Sequence, residues 1–196
     1  MNLGYIFRGA IMQIVVFSFN PFVYWLIKYK KQTPFFQWIG LFKPIKNVSY
    51  KKAIVSIVCY FLIWIIASLV SKPSSNYTGI GVVAIFPSLI VCFIQNGLCE
   101  ELLFRGFIGK RLISKLGKNK GNITQAIVFG AVHILLAIAT ETPINILNFI
   151  GFFIVPVVGG WTLGYINEYI YNGSIIPSII LHGIINFLRD MILAFS

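Results

Sequence analysis

Asn96-Gly97-Leu98-Cys99-Glu100-Glu101-Leu102-Leu103-Phe104-Arg105 places two adjacent carboxylates and an arginine inside an otherwise apolar run. Only five of the 196 residues are acidic, and two of them sit together here. Apolar residues extend the run on both sides, from about residue 80 to 108. A charge in such surroundings is costly unless it is paired or hydrated, so an ionisable group placed there is by default a candidate for function.

The whole chain matches this stretch. It is 58% hydrophobic and 11% charged, with a mean hydropathy of +0.85. A soluble chain is about one quarter charged. The expected fold is therefore an all-α integral membrane protein. We expect residues 1–196 to form a single membrane domain, a polytopic bundle of about six transmembrane helices with a surface amphipathic segment. The net charge of +11 does not point to nucleic acid. Twelve of the sixteen Lys and Arg fall within 28–52 and 110–120, both flanking apolar spans. That is the positive-inside pattern, with some attraction to anionic headgroups. Cys59, Cys92 and Cys99 lie in apolar runs without CxxC spacing, so no disulfide framework is expected. The N-terminal apolar stretch lacks a small-x-small cleavage pattern and reads as a retained helix.

Six spans are expected, at about 5–27, 53–70, 80–108, 123–139, 144–165 or a little beyond, and from 175 to near the C-terminus. Asn20-Pro21 should kink or end the first. A catalytic core of about 80–196 is then preceded by two spans and a basic amphipathic linker, 28–52, rich in lysine and aromatics and expected on the membrane surface. Residues 110–122 read as a second basic loop. Alternation puts both basic segments in the cytoplasm and both termini outside.

Depth brings separate residues into one plane. Glu100 lies ten residues before Lys110, His133 eleven residues after Asn122, and His182 eight residues after Ser174. At about 1.5 Å per residue, all three lie roughly 12 to 17 Å below the cytoplasmic edge. They include both histidines of the chain. Glu101 and Arg105 are spaced i, i+4 and can pair, leaving Glu100 to face elsewhere. His182 and Asn186 share a stripe by the same spacing, and Phe129 precedes His133 by one turn and can wall the site. Taken singly, each has a plain structural reading: helix-packing histidine, Glu–Arg clamp, interhelical Asn. Together at one depth they suggest chemistry. A carboxylate in a dry pocket can act as general base on water, a histidine can share that water or bind a metal that activates it, and a second histidine with an asparagine can stabilise an oxyanion. There is no GxSxG and no HExxH.

The order Glu100-Glu101-x-x-x-Arg105, Phe129-x-x-x-His133, His182-x-x-x-Asn186 resembles the CPBP intramembrane proteases, the type II CAAX prenyl endopeptidases and bacterial Abi proteins. The run Asn172-Gly173-Ser174-Ile175-Ile176-Pro177-Ser178 is similar to the family's lead-in to the last motif. The resemblance implies an intramembrane endopeptidase opening to the cytoplasmic leaflet. It implies that Glu100 and His133 activate water, that His182 and Asn186 stabilise the oxyanion, and that Glu101, Arg105 and Phe129 support them. The family is labelled metalloprotease, yet a metal-free glutamate mechanism fits equally well. Glu100, His133 and His182 could hold a divalent metal such as zinc, but that would leave no evident base.

The implied partners are the bilayer and a membrane-associated peptide or protein, prenylated or leader-type, with no nucleic acid; the oligomeric state is not legible. The short chain and its Lys-, Ile- and Asn-rich composition suit a bacterial plasma membrane, with peptide processing or bacteriocin self-immunity as roles. The competing readings are a non-catalytic immunity or scaffold protein of the same fold, and a small transporter or proton relay, which internal symmetry would favour.

Overall fold

The computed structural model describes residues 3–44, 50–70 and 77–196. Among the described residues the secondary structure is helical throughout. We name the helices α1 (Leu3–Lys28), α2 (Phe35–Ile39), α3 (Tyr50–Val70), α4 (Gly81–Leu116), α5 (Lys118–Ala139), α6 (Ile146–Ile170) and α7 (Ile176–Ala194). Five of them, α1 and α4 to α7, are long and apolar enough to cross a membrane. Helix α3 lies where the second span was expected. It is 21 residues long and carries no charge after Lys52. In lipid each backbone N–H and C=O must be bonded within its own segment, and these long helices meet that need.

One segment, 110–122, differs from the expectation, and two other boundaries are made definite. Helix α1 runs through Pro21 without ending; a bilayer span tolerates proline where neighbours satisfy the freed carbonyl. The segment 110–122 is not a loop. Helix α4 continues to Leu116, and one glycine, Gly117 at φ 80°, turns the chain into α5. Helix α6 extends to Ile170, a little beyond residue 165 as expected.

The described residues fall into two compact units. The first contains α1, α2, α4 as far as Phe107, and α7. Helix α1 packs on α4 through Ile6, Ala10 and Ile90, and Gln95 Nε2 donates to Ile6 O at 3.2 Å. Helices α4 and α7 approach at Gly97 and Gly183. A Cβ on Gly97 would stand 2.9 Å from Ile179 O, and one on Gly183 would meet the Phe93 ring. Small residues allow such approach in membranes, where packing and hydrogen bonds drive helix association. Gly97→Ala is expected to destabilise the protein by about 1–3 kcal/mol, because the clash is with backbone that cannot rotate away. A lowered unfolding midpoint in detergent would show it; an unchanged midpoint would mean that the helices do not meet there.

The basic–aromatic linker is less superficial than its composition suggests. Trp38 and Ile39 are buried with Leu102, ringed by Tyr24, Tyr29, Phe35 and Phe107. Gly40 closes α2 in the left-handed conformation, φ 93°. The chain beyond it is fastened to the start of α7: Ile175 N donates to Gly40 O at 2.9 Å, and Ser174 Oγ to Phe42 O at 2.6 Å. Residues 45–49 of the linker lie outside the described residues.

The second unit contains α3, the end of α4 from Ile108, α5 and α6. Its α5–α6 contact holds buried amides. Asn122 Nδ2 donates to Trp161 O at 3.0 Å, and Gln125 Nε2 donates to Asn122 Oδ1 and Gly160 O, both at 2.9 Å. Lys110 Nζ donates to Gly173 O at 2.7 Å and pairs with Glu168 at 3.3 Å, bracing the turn before α7.

Candidate active site

The residues 96–105 lie on an unusual winding. From Ile90 to Glu100 and from Leu102 to Gly109, α4 is π-helical, with i→i+5 hydrogen bonds. Such segments are rare and often found at functional sites. They widen the helix and change where successive side chains point, so 3.6-residue arithmetic does not give the directions of Glu100 and Glu101.

Glu101 is wholly buried. Arg105 Nη1 lies 3.0 Å from its Oε1, with both side chains almost sealed from the outside. The same oxygen accepts a hydrogen bond from His182 Nδ1 at 2.9 Å. Ser178, one turn before His182 on α7, is buried and donates to Ile175 O at 2.9 Å. Glu101 is thus more than Arg105's counter-ion: it also fixes the ring of His182. A carboxylate only accepts, so Nδ1 carries a proton and Nε2 turns towards Glu100, whose Oε2 stands 3.9 Å away. That separation is too long for a hydrogen bond but within ion-pair reach. Glu100 and His182 keep some exposure, 19% and 11% of their side chains, whereas Glu101 keeps none. One carboxylate of the pair is locked in, and the other has an open edge.

Asn186 follows His182 by one turn of α7 and is half-buried. Its side-chain amide can donate two hydrogen bonds. Phe129 and His133 belong to the second unit, on α5. There His133 Nδ1 lies 2.9 Å from Phe129 O, and the two rings meet edge to face at 4.3 Å. A backbone carbonyl can only accept, so Nδ1 again holds the proton and Nε2 of the neutral ring is the basic nitrogen.

Residues 82–188, more than half of the chain, match the family described as type II CAAX prenyl endopeptidase Rce1-like. The chain belongs to that family. The matched span takes in all three sequence motifs, and membership makes this Rce1-like chain a CAAX protease-like membrane hydrolase. Neither the curated proteins nor the solved structures gave a match.

One buried carboxylate escaped the sequence reading. Asp190 was overlooked, although an acidic residue eight after His182 in an apolar span was itself a signal. As to metal, no group of three or more His, Cys, Asp or Glu among the described residues is arranged to hold an ion. Of the three candidate ligands, Glu100 and His182 belong to the first unit and His133 to the second.

Proposed function

We propose that the chain is an intramembrane endopeptidase that hydrolyses a peptide bond with water activated by Glu100, without a step at a metal. The observation that supports this best is the asymmetry of the acidic pair: Glu101 is bound to Arg105 and His182, while Glu100 is held 3.9 Å from His182 Nε2 and is partly open. Glu100 accepts a proton from water, and the resulting hydroxide adds to the scissile carbonyl carbon. The carbonyl electron pair moves to oxygen. Asn186 Nδ2–H and His182 Nε2–H donate to that oxyanion. Because Nδ1 already carries a proton towards Glu101, donation from Nε2 requires the imidazolium form of His182. Collapse breaks the C–N bond, and the proton held by Glu100 passes to the leaving amine. His133, in the other unit, keeps the catalytic role that its motif implies.

The substrate class in this reading is a membrane-associated peptide, prenylated or leader-type, cleaved at the cytoplasmic leaflet of a bacterial plasma membrane. Peptide maturation and bacteriocin self-immunity are the roles proposed for such cleavage. The test is incubation of the purified protein in vesicles with prenylated and leader-type peptides, with mass spectrometry of the products and a chelator control. Cleavage that survives complete metal removal supports the metal-free path. Cleavage abolished by chelator and restored by zinc alone overturns it.

Asn186→Ala is expected to lower kcat by about 10²-fold while KM changes little, since an oxyanion donor acts mainly in the transition state. A fall confined to KM would move Asn186 from oxyanion stabilisation to ground-state binding.

A further inference from the structure

The first unit holds another buried carboxylate that the chemistry above does not use. Asp190 on α7 is 2% exposed. Its Oδ2 accepts from Ser88 Oγ at 2.9 Å and from Cys92 Sγ at 3.3 Å, both on α4. Its Oδ1 accepts from Arg189 Nε at 3.2 Å and Nη2 at 3.0 Å. Nearby, Tyr77 is buried outside the spans, and burial, with the charge of Asp190 second, pushes its hydroxyl above the usual tyrosine range. With both oxygens committed, Asp190 is a completed tie between helices and not a vacant ligand site.

The position of that tie gives it a consequence. Ser178, His182, Asn186 and Asp190 recur every fourth residue and form one stripe of α7. At one end of the stripe His182 is bound to Glu101 of α4. About 12 Å along the axis, Asp190 is bound to Ser88 and Cys92 of the same helix. Between them the helices touch at Gly97 and Gly183, where side chains too small to interlock offer little resistance to rolling. Two ties on one stripe fix the rotation of α7, and a single tie would leave it a hinge. Asn186 lies between the ties. Buried ionic groups serve in other helical assemblies to specify register, at some cost in stability.

We propose that Asp190 is a positioning residue, setting through Ser88 and Cys92 the rotation of α7 at which His182 faces Glu100 and Asn186 stands beside them. The catalytic consequence rests on the hydrolytic reading above, and the helix rotation does not. Asp190 also lies beyond the family match, which ends at residue 188.

Two measurements on the full chain test this. The first needs no activity. In a chain with the exposed Cys59 changed to serine and the buried Cys92 and Cys99 kept, Phe93→Cys and Phe187→Cys replace two rings whose centroids are 6.4 Å apart across the helix pair. A short bis-maleimide should join them rapidly, several-fold more slowly after Asp190→Ala, and at a partly restored rate with Asp190→Asn. Equal rates in all three overturn the proposal. The second is a double-mutant cycle on peptide cleavage. Asp190→Ala should lower kcat by about 10- to 100-fold with KM little changed, as expected for a displacement near 1 Å. It should add less than its full factor in an Asn186→Ala background, because part of its effect acts through Asn186 and the rest through His182. Full additivity would mean that Asp190 acts only on general stability, and it overturns the proposal. If Asp190→Ala does not accumulate, Ser88→Ala removes one donor and leaves the charge bonded to Arg189, with the same outcomes expected at smaller amplitude. If the unaltered protein cleaves no peptide, the hydrolytic reading fails alone and the cross-linking rate decides for Asp190.

Discussion

Glu100→Gln should reduce peptide hydrolysis by about 10²- to 10⁴-fold while leaving the protein in the membrane at normal level. The amide keeps the volume of the carboxylate but cannot take a proton from water, so the loss measures the general-base term. In free energy this is about 3–5 kcal/mol of transition-state stabilisation. Expression should hold because Glu100 is not the residue that joins the helices: the ties to Arg105 and His182 both end on Glu101. The comparison also separates the enzyme from a non-catalytic immunity or scaffold protein. Loss of biological function with normal accumulation favours hydrolysis. Retained function in Glu100→Gln would sink the general-base assignment, whatever the family.

Legibility of this site followed the size of the energies involved. Two carboxylates in an apolar run are so unfavourable that they stand out without any alignment, and Arg105 four residues on is the nearest available remedy. His182 and Asn186 were visible for a similar reason, as polar residues at helical spacing in an apolar span. What the sequence could not convey was which carboxylate His182 would bind. That depends on a contact across 81 residues, and on a π-helical winding that no periodicity argument anticipates. Helical spacing assigned the histidine side to Glu100, yet the closer partner is Glu101.

Other differences have the same origin. The lysines of 110–120 made a loop the natural reading, but lysine is also at home at a helix end, and only Gly117 actually turns the chain. The tryptophan and phenylalanines of the linker suggested the interface, where aromatics gather. Whether Trp38 lies in that interface or under its own chain depends on Tyr24, Tyr29 and Phe107, residues distant in sequence. Composition told that the linker is amphipathic and could not tell what its apolar side meets.

Glu101 and Arg105 give the other large effect, and a pair of double variants divides it into stability and orientation. Arg105→Met leaves the Glu101 carboxylate wholly buried with its full-time cation gone, and breaking a buried pair this way costs about 3–5 kcal/mol. The expected result is poor accumulation or a much lowered unfolding midpoint in detergent. Removing both charges is different. Replacing a buried ion pair by apolar groups of similar size is often neutral or stabilising, so Glu101→Leu/Arg105→Met should fold about as well as the unaltered chain. It should still be inactive, because His182 Nδ1 then has no acceptor and its ring is free to turn Nε2 away from Glu100. Glu101→Gln/Arg105→Met restores an acceptor oxygen without the charge, and part of the activity should return with it. That sequence of outcomes, unstable, stable but inactive, stable and partly active, cannot be produced by a clamp that only holds helices together. A stable Arg105→Met protein with ordinary activity would show that Glu101 does not depend on the arginine. A fully active Glu101→Leu/Arg105→Met protein would show that His182 does not depend on Glu101.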